Sequence, residues 1–245
     1  MLNELIENQK NMSKNNRWPF IISNPHCGQL VPDIVKPISK LSINQIIKDG
    51  DEQAFAIYSP LSAHCQYYIE ATAARAYVDL NRRIDDFSKD GVVKTHTCWD
   101  ESIYHRPLTA NISQALLESY YTTYHKKLME AASSNQYTWL FDCHTMAEFG
   151  PPVSPDSGHK RPLVCLGNAN GQSCSAEAFS QIVAIFNEVF DGQVSENKPF
   201  SGGYICRQYG QYLPTIQIEL SRTMDMTVTE KAIRIQRAFD QIALL

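Results

Sequence analysis

Two histidines each accompany a short apolar run, in positions where their side chains could hold a metal ion. His26 lies in Asn-Pro-His-Cys-Gly after the run 19–23, and His144 lies in Phe-Asp-Cys-His-Thr-Met at the end of another run. Taken alone, each histidine is more commonly a hydrogen-bonded loop residue. Two imidazoles and one carboxylate, however, make a catalytic zinc site with a fourth position open to water. The matching placement of both histidines at strand ends therefore predicts a metal centre.

The third ligand should be an acid, and we assign this role to Asp51 in Lys-Asp-Gly-Asp-Glu. Asp49 and Glu52 are rivals for the role, and Asp51 could instead cap the helix that follows. Asp142 precedes His144 by two residues on a predicted strand, so both side chains share one face. We therefore expect Asp142 to orient the candidate ligand His144 from outside.

An acid interrupts the apolar segment Gln-Ile-Glu-Leu at Glu219. Burying a carboxylate there is costly unless it has a partner. One explanation is a structural ion pair with an arginine such as Arg222. The other is catalytic, because a metal-activated water needs a carboxylate that accepts its proton and passes it to the leaving nitrogen. We favour the catalytic role.

Arginine occurs in three motifs with turn or strand-end character. Arg82 ends Asp-Leu-Asn-Arg, Arg106 lies in Tyr-His-Arg-Pro-Leu, and Arg207 follows Gly-Gly-Tyr-Ile-Cys. A guanidinium binds a carboxylate through two parallel hydrogen bonds, although a surface salt bridge is the commoner role of any one arginine. With Asn81, these arginines are candidates to bind an acidic substrate. His105 is a candidate to orient a metal ligand by a hydrogen bond without binding the metal itself.

Apolar periodicity predicts the elements that would position these residues. We expect strands over 19–23, 67–71, 76–80, 138–142, 163–166 and 214–220, and helices over 52–65, 113–133, 175–190 and 228–243. Pro60 could split the first of these helices, and residues 148–160 form a surface loop or lid. The alternation favours a single α/β catalytic domain over residues 1–245, with a polar arm over 1–17. Ligands of such sheets bind beyond the strand ends, where the candidate residues would converge.

The composition argues against several classes of protein. The net charge is -4 and no dense run of Lys and Arg occurs, so the expected partner is a small molecule and not nucleic acid. No apolar stretch approaches the roughly 20 residues that span a membrane, and no secretory signal is recognisable, so we expect a cytoplasmic protein. The seven cysteines form no CxxC pair and are interpreted as buried packing residues, Cys27 and Cys143 included. No feature indicates an oligomeric state.

Six motifs resemble the N-formylglutamate amidohydrolase family, in order and in approximate spacing, over residues 19–222. They are Asn-Pro-His-Cys-Gly, Val-Asp-Leu-Asn-Arg, Tyr-His-Arg-Pro-Leu, Phe-Asp-Cys-His-Thr-Met, Gly-Gly-Tyr-Ile-Cys-Arg-Gln-Tyr-Gly and Ile-Gln-Ile-Glu-Leu. The resemblance implies a three-layer α/β/α sandwich with a mixed, mostly parallel central sheet, similar to zinc carboxypeptidases and phosphorylase/hydrolase-like. The site residues that it implies are His26, Asp51 and His144 as zinc ligands, Glu219 as the catalytic carboxylate, and Asn81 and Arg82 as carboxylate-binding residues.

The resemblance further implies hydrolysis of N-formyl-L-glutamate to formate and glutamate, a reaction of histidine and glutamate metabolism. Another N-acyl amino acid or a short peptide would satisfy the same arginines, and another divalent metal would satisfy the same ligands. The alternative from a different class is a non-catalytic protein that binds a metal or an amino acid on this scaffold.

Overall fold

Six strands form one sheet in the computed structural model, which describes residues 17–151 and 154–245. The order across the sheet is β2-β1-β3-β6-β4-β5. The strands are β1 (Trp18–Asn24), β2 (Cys65–Glu70), β3 (Trp139–Met146), β4 (Val164–Gly167), β5 (Val194–Glu196) and β6 (Thr215–Ser221). The predicted polar arm over 1–17 lies outside the described residues, except for its last residue.

The sheet is mixed and mostly parallel, as predicted. Strands β2, β1, β3 and β6 run parallel to one another, whereas β4 pairs antiparallel with β6 and parallel with β5. Parallel neighbours bring their carboxyl ends to the same edge of a sheet. The residues at the ends of β1, β3 and β6 therefore share one crevice.

Seven α-helices accompany the sheet in the described part of the chain. They are α1 (Ile43–Asp49), α2 (Ala54–Tyr58), α3 (Ala110–Leu116), α4 (Thr123–Ala132), α5 (Ala176–Val189), α6 (Tyr204–Tyr209) and α7 (Val228–Ile242). Pro60 splits the predicted helix over 52–65, because α2 continues as the 3-10 helix Ser59–Ala63. A π-helical turn, Leu117–Thr122, joins α3 to α4. Among the described helices, none has the length and apolar character needed to cross a membrane.

An apolar core lies on each face of the sheet, because successive side chains of a strand point to opposite sides. In β1, Phe20 and Ile22 pack with α2, α5 and α7, whereas Ile21 packs on the other face with α1, α3, α4 and α6. Helices therefore cover both faces, which explains why the strands are apolar on both sides. The fold is a three-layer α/β/α sandwich, and this prediction is confirmed.

Polar side chains interrupt one face of the sheet at the carboxyl ends of its strands. In β3, Cys143 belongs to the core with α5 and α7, so Asp142 and His144 point to the opposite face. The same alternation in β6 directs Gln217 and Glu219 to that face. All four polar side chains are buried. Strand periodicity thus gathers titratable groups into one part of the interior.

The predicted strand over 76–80 is wrong. This segment is buried, and Tyr77 is fully enclosed, but it joins no strand. Its amide groups bond to nearby loops: Tyr77 N donates to Ala74 O, and Asp79 N donates to Val92 O, both at 2.9 Å. The apolar residues of the segment fill the core without joining the sheet.

The fold predicts a large loss of stability for Phe239→Ala in α7. The ring of Phe239 is fully buried and its centroid lies 4.8 Å from that of Phe141 and 5.4 Å from that of Trp18. Truncation leaves a cavity, so the free energy of unfolding should fall by about 3–5 kcal/mol in urea denaturation. Exposed Ile233 on the same helix is the control. Ile233→Ala should change the free energy of unfolding by about 0.5 kcal/mol or less. Equal effects of the two substitutions would contradict this packing.

Candidate metal centre

Three of the predicted site residues lie together at the carboxyl edge of the sheet. His26 follows β1, His144 lies near the end of β3, and Asp51 lies two residues after α1. One ligand atom from each residue lies within 4.8 Å of the others, and the centroids of the two imidazole rings are 4.7 Å apart. All three residues are more than nine-tenths buried. Together they form a group that could hold a metal ion.

A further acid stands behind each imidazole. His26 Nε2 donates to Asp79 Oδ1 at 2.8 Å, and His144 Nε2 lies 3.0 Å from Asp142 Oδ2. An ionised carboxylate only accepts hydrogen bonds, so each Nε2 carries a proton. The opposite ring nitrogen, Nδ1, faces Asp51 in both histidines. Asp51 Oδ2 lies 2.9 Å from His144 Nδ1 and 3.7 Å from His26 Nδ1. Such outer carboxylates fix the orientation of imidazole ligands in metal sites.

The charges of this cluster shift the pKa values of its members. Burial alone would lower the pKa of His144, but the charge of Asp142 and hydrogen bonds to Asp142 and Asp51 hold it well above its ordinary value. Burial alone would raise the pKa of Asp51, but the two imidazoles hold it well below the usual range. The pKa of Asp79 is likewise held low against burial, by His26 and Arg75. The cluster thus favours positive charge between its carboxylates.

The donor set fits a zinc-type ion. Two imidazole nitrogens and one carboxylate oxygen converge, and all three residues line a cavity from which a further ligand can approach. The two rival acids, Asp49 and Glu52, face cations instead. Asp49 is fully buried and lies 3.2 Å from Lys94 Nζ, and Glu52 lies 3.8 Å from Arg222 NH1. The same three donors would also accept other divalent ions.

The backbone around Asp51 places its carboxylate toward the imidazoles. Asp51 N donates to His26 O at 3.2 Å, which ties this turn to the loop after β1. The residue that precedes α2 is Gln53, whose φ of 71° is left-handed. The Asp51 carboxylate accepts from Thr145 N at 3.2 Å as well as from His144. The alternative that Asp51 caps a helix is therefore wrong.

Glu219 lies beside His144, because β6 pairs with β3 in a register that joins these two residues. The buried carboxylate accepts a hydrogen bond from Gln217 Nε2 at 2.9 Å. Burial raises the pKa of Glu219 to about 7, although the charge of His144 opposes this shift. The structural alternative was an ion pair with Arg222 or another arginine, but Arg222 lies 3.8 Å from Glu52, and no arginine of the described residues forms an ion pair with Glu219. An acid with a pKa near neutrality can both accept and release a proton at this position.

Arg75 adjoins the cluster and was not predicted. Its Nε donates to Asp79 Oδ2 at 2.9 Å, and its NH1 lies 4.0 Å from Asp51 Oδ1. The guanidinium also lines the cavity. Arg75 lies in an irregular segment with no periodicity, and the only signal for it in the sequence was the nearby Asp-Leu-Asn-Arg motif.

Asn81 is held by protein groups on both sides of its amide. Its Nδ2 lies 3.0 Å from Asp142 Oδ2 and 3.1 Å from His144 Nε2, and its Oδ1 accepts from Ile205 N at 2.8 Å. Gly203 makes this approach possible, since a Cβ there would lie 2.4 Å from the Asn81 amide. Asn81 lines the cavity, but its amide donates to Asp142 Oδ2 and thereby helps to orient the carboxylate that holds His144.

The π-helical turn between α3 and α4 helps to fix the backbone around Asn81. Tyr121 OH donates to Arg82 O, and His125 Nε2 donates to Leu80 O, both at 2.9 Å. Burial lowers the pKa of His125 to about 4, so its ring is neutral near pH 7. A π turn widens the helix locally and occurs often at functional sites. Here two residues of one helical segment hold the carbonyl groups on either side of Asn81.

Two of the predicted residues lie away from the cluster. His105 and Arg106 are exposed and do not line the cavity. The reason is that Tyr104 is buried and His105 N donates to Ile38 O at 2.9 Å, which directs the following side chain to solvent. The structure therefore does not bring either residue to the candidate ligands.

The other arginines do reach the cavity, with different partners. Arg82 donates from Nε to Asp90 O and from NH2 to Asp90 Oδ2, both at 3.0 Å. Arg207 NH1 donates to Gly202 O at 2.7 Å, and Arg207 makes no ion pair within the described ranges. Arg222 also lines the cavity, which the sequence did not predict. Arg207 and Arg222 are thus more available to an acidic ligand than Arg82.

The cluster opens into a cavity of about 680 Å³, a volume that suits a small molecule. The segment 148–160 contributes Pro151 and Ser154 to its lining, while its residues 152–153 lie outside the described part of the chain. Cys27 and Cys143 are buried and do not line this cavity. Burial raises the pKa of both thiols, to about 12 for Cys27, so they pack as neutral groups.

Comparison with known proteins agrees with this fold. A model of the N-formylglutamate amidohydrolase family matches residues 18–226. The crystal structure of N-formylglutamate amidohydrolase from Ralstonia eutropha JMP134 superimposes with a TM-score of 0.74 at 20% identity, covering 94% of each chain. A gene product of Agrobacterium tumefaciens superimposes with a TM-score of 0.72 at 14% identity, covering 95% of this chain and 91% of the other. No sequence among the curated proteins matches this chain.

The outer acids predict how metal affinity responds to Asp142→Asn. An amide in place of the carboxylate removes the charge that holds the Nε2 proton of His144, so zinc binding should weaken by about 10–100-fold. Competition with a chelating dye measures this affinity. Asp33→Asn is the matched control, because the Asp33 side chain is 92% exposed and remote from the cluster. Unchanged affinity in the Asp142 variant would mean that this acid does not support a metal ligand.

Proposed function

The chain belongs to the N-formylglutamate amidohydrolase family, and we propose that it hydrolyses the amide bond of N-formyl-L-glutamate with the help of a zinc ion. The convergence of His26, Asp51 and His144 beside Glu219 is the observation that carries this proposal. Membership of an amidohydrolase family supports the reaction class. The products are formate and glutamate.

The three candidate ligands define where the ion would be held. Bound there, a divalent ion supplies Lewis acidity, which polarises a carbonyl oxygen and lowers the pKa of water. Asp79 and Asp142 hold the Nε2 protons of His26 and His144, so that the Nδ1 atoms would be the ones to bind the ion.

Glu219 moves the proton in the proposed reaction. As a carboxylate it accepts a proton from the attacking water, while the water oxygen forms a bond to the amide carbon. The same oxygen of Glu219 then gives the proton to the nitrogen as the bond between carbon and nitrogen breaks. The pKa of about 7 suits both halves of this transfer. The hydrogen bond from Gln217 fixes the carboxylate beside His144.

Arg75 is placed to stabilise the charge that develops on the carbonyl oxygen. Its Nε is fixed by Asp79, while its NH1 faces the side of Asp51 and the cavity. A donor held in this way needs no reorganisation during the reaction. Substrate carboxylates are bound in the proposal by Arg207 and Arg222, with Arg82 as a third candidate that would have to give up Asp90.

Release of formate from N-formyl-L-glutamate tests this function directly. We expect turnover by the purified protein, loss of turnover after chelation, and recovery when zinc is returned. Glu219→Gln should lower kcat by about 10²–10⁴-fold while retaining zinc. Glu188→Gln is the control, because that acid is exposed on α5. A folded, zinc-loaded protein without turnover would instead favour a protein that binds the metal or an amino acid.

The raised pKa of Glu219 predicts the pH dependence of the reaction. A general base must be ionised, so kcat/KM should fall as the pH drops through the pKa of Glu219 and that carboxylate becomes protonated. The midpoint should lie at about 7 or below, since a cation among the ligands favours the charged form. A rate that stays constant from about pH 5 to pH 8 would exclude Glu219 as the base.

A further inference from the structure

The cavity is larger than the substrate of the proposed reaction needs. Cavities of about 300–1,000 Å³ enclose drug-sized ligands, and this one measures about 680 Å³. N-formyl-L-glutamate is much smaller than such ligands. Space therefore remains in the cavity for a further chemical group of the same molecule.

The charges that line the cavity indicate the nature of this group. Each of the cavity-lining residues Arg75, Arg82, Lys89 and Arg161 makes a direct ion pair with an aspartate. Of the other lining cations, Arg222 lies 3.8 Å from Glu52, whereas Lys48 and Arg207 have no carboxylate within 4.0 Å among residues 17–151 and 154–245. N-formyl-L-glutamate has two carboxylates, which the proposed reaction assigns to Arg207 and Arg222, so Lys48 is left without an anionic partner.

Lys48 differs from Arg207 and Arg222 in lying over an aromatic ring. Its Nζ lies 4.1 Å from the centroid of the Trp99 ring, and Trp99 Nε1 donates to Lys48 O at 3.1 Å. The ring thereby holds the ammonium group at the wall of the cavity without neutralising its charge. We call these two residues, Lys48 and Trp99, the Lys48 subsite.

Buried contacts hold both parts of the Lys48 subsite together. Asp49, the neighbour of Lys48, is fully buried, and both of its oxygens lie 3.2 Å from the buried Lys94 Nζ. One of these oxygens also accepts from Cys98 N at 2.6 Å. Cys98 adjoins Trp99, so this ion pair fastens the Trp99 loop to the end of α1. The fold thus fixes the backbone beside both residues, and the exposed Lys48 side chain is accessible to a ligand.

The Lys48 subsite is close enough to the candidate ligands for one molecule to reach both. Lys48 precedes Asp51 by three residues, and three residues span at most about 11 Å between Cα atoms. The two sites also line the same cavity. An anion at Lys48 can therefore be part of a molecule whose amide bond lies beside Glu219.

We propose that the preferred substrate is an N-acyl amino acid that carries a third carboxylate, which binds at the Lys48 subsite. This inference rests on the proposed amide hydrolysis and specifies its substrate class. The third carboxylate can belong to the acyl group or to a second acidic residue on the amine side. Both arrangements present the same chemistry to Lys48.

Binding and turnover of three compounds test the proposal. They are N-formyl-L-glutamate, N-succinyl-L-glutamate with its third carboxylate on the acyl side, and N-formyl-L-glutamyl-L-glutamate with its third carboxylate on the amine side. Calorimetric Kd values are measured with zinc-loaded Glu219→Gln, and kcat and KM are measured with the otherwise unaltered protein. We expect one of the tricarboxylates to bind at least about tenfold more tightly than N-formyl-L-glutamate, and this compound identifies the side of the extension.

Lys48→Met supplies the decisive comparison, with Lys126→Met as the matched control because Lys126 is exposed and outside the cavity. Lys48→Met should remove the advantage of the tricarboxylate, mainly through KM, and leave the values for N-formyl-L-glutamate nearly unchanged. The inference is overturned if neither tricarboxylate binds more tightly, or if Lys48→Met weakens all three compounds equally. Tight binding without turnover by the unaltered protein would instead contradict the hydrolysis and retain the subsite.

Discussion

The burial of several carboxylates at one edge of the sheet is the constraint on which the rest of the structure depends. Asp51, Asp79 and Asp142 surround two imidazoles, and Glu219 lies beside them. Like charges at this depth are unfavourable unless positive charge lies between them. The imidazoles and Arg75 supply that charge in the described part of the chain. A cation bound at the inward Nδ1 atoms would replace the proton of His144, so metal binding and proton release are linked.

Regular periodicity made much of the fold predictable. The helices α5 and α7 carry long apolar stripes, and their observed bounds differ from the predicted ones by one residue. The short elements α1, α6 and β5 were not predicted, because their few residues depend on tertiary contacts more than on local pattern. The segment 76–80 shows the converse case. It is apolar because the core surrounds it, and an apolar run of this length does not distinguish a buried loop from a strand.

The candidate site was predictable where strands position it and less so elsewhere. His26, His144 and Glu219 follow from the rule that parallel strands end at one edge, and Asp51 followed from the chemistry of zinc ligands. Arg75, in contrast, lies in an irregular segment whose course depends on hydrogen bonds distant in sequence. Tertiary contacts also explain why Arg106 was wrongly expected at the site. Burial of Tyr104 directs the rest of that motif to the surface.

The π-helical turn at Leu117–Thr122 also limits how the chain can vary in evolution. Each residue of an α-helix rotates the next by about 100°, so a single deletion that restored regular helix would turn His125 away from Leu80 O. Tyr121, on the other side of such a deletion, would keep its direction. A deletion between these two residues would therefore break one of the two contacts that hold the backbone around Asn81. The length of this stretch between Tyr121 and His125 should stay constant among related sequences, even where the residues themselves differ.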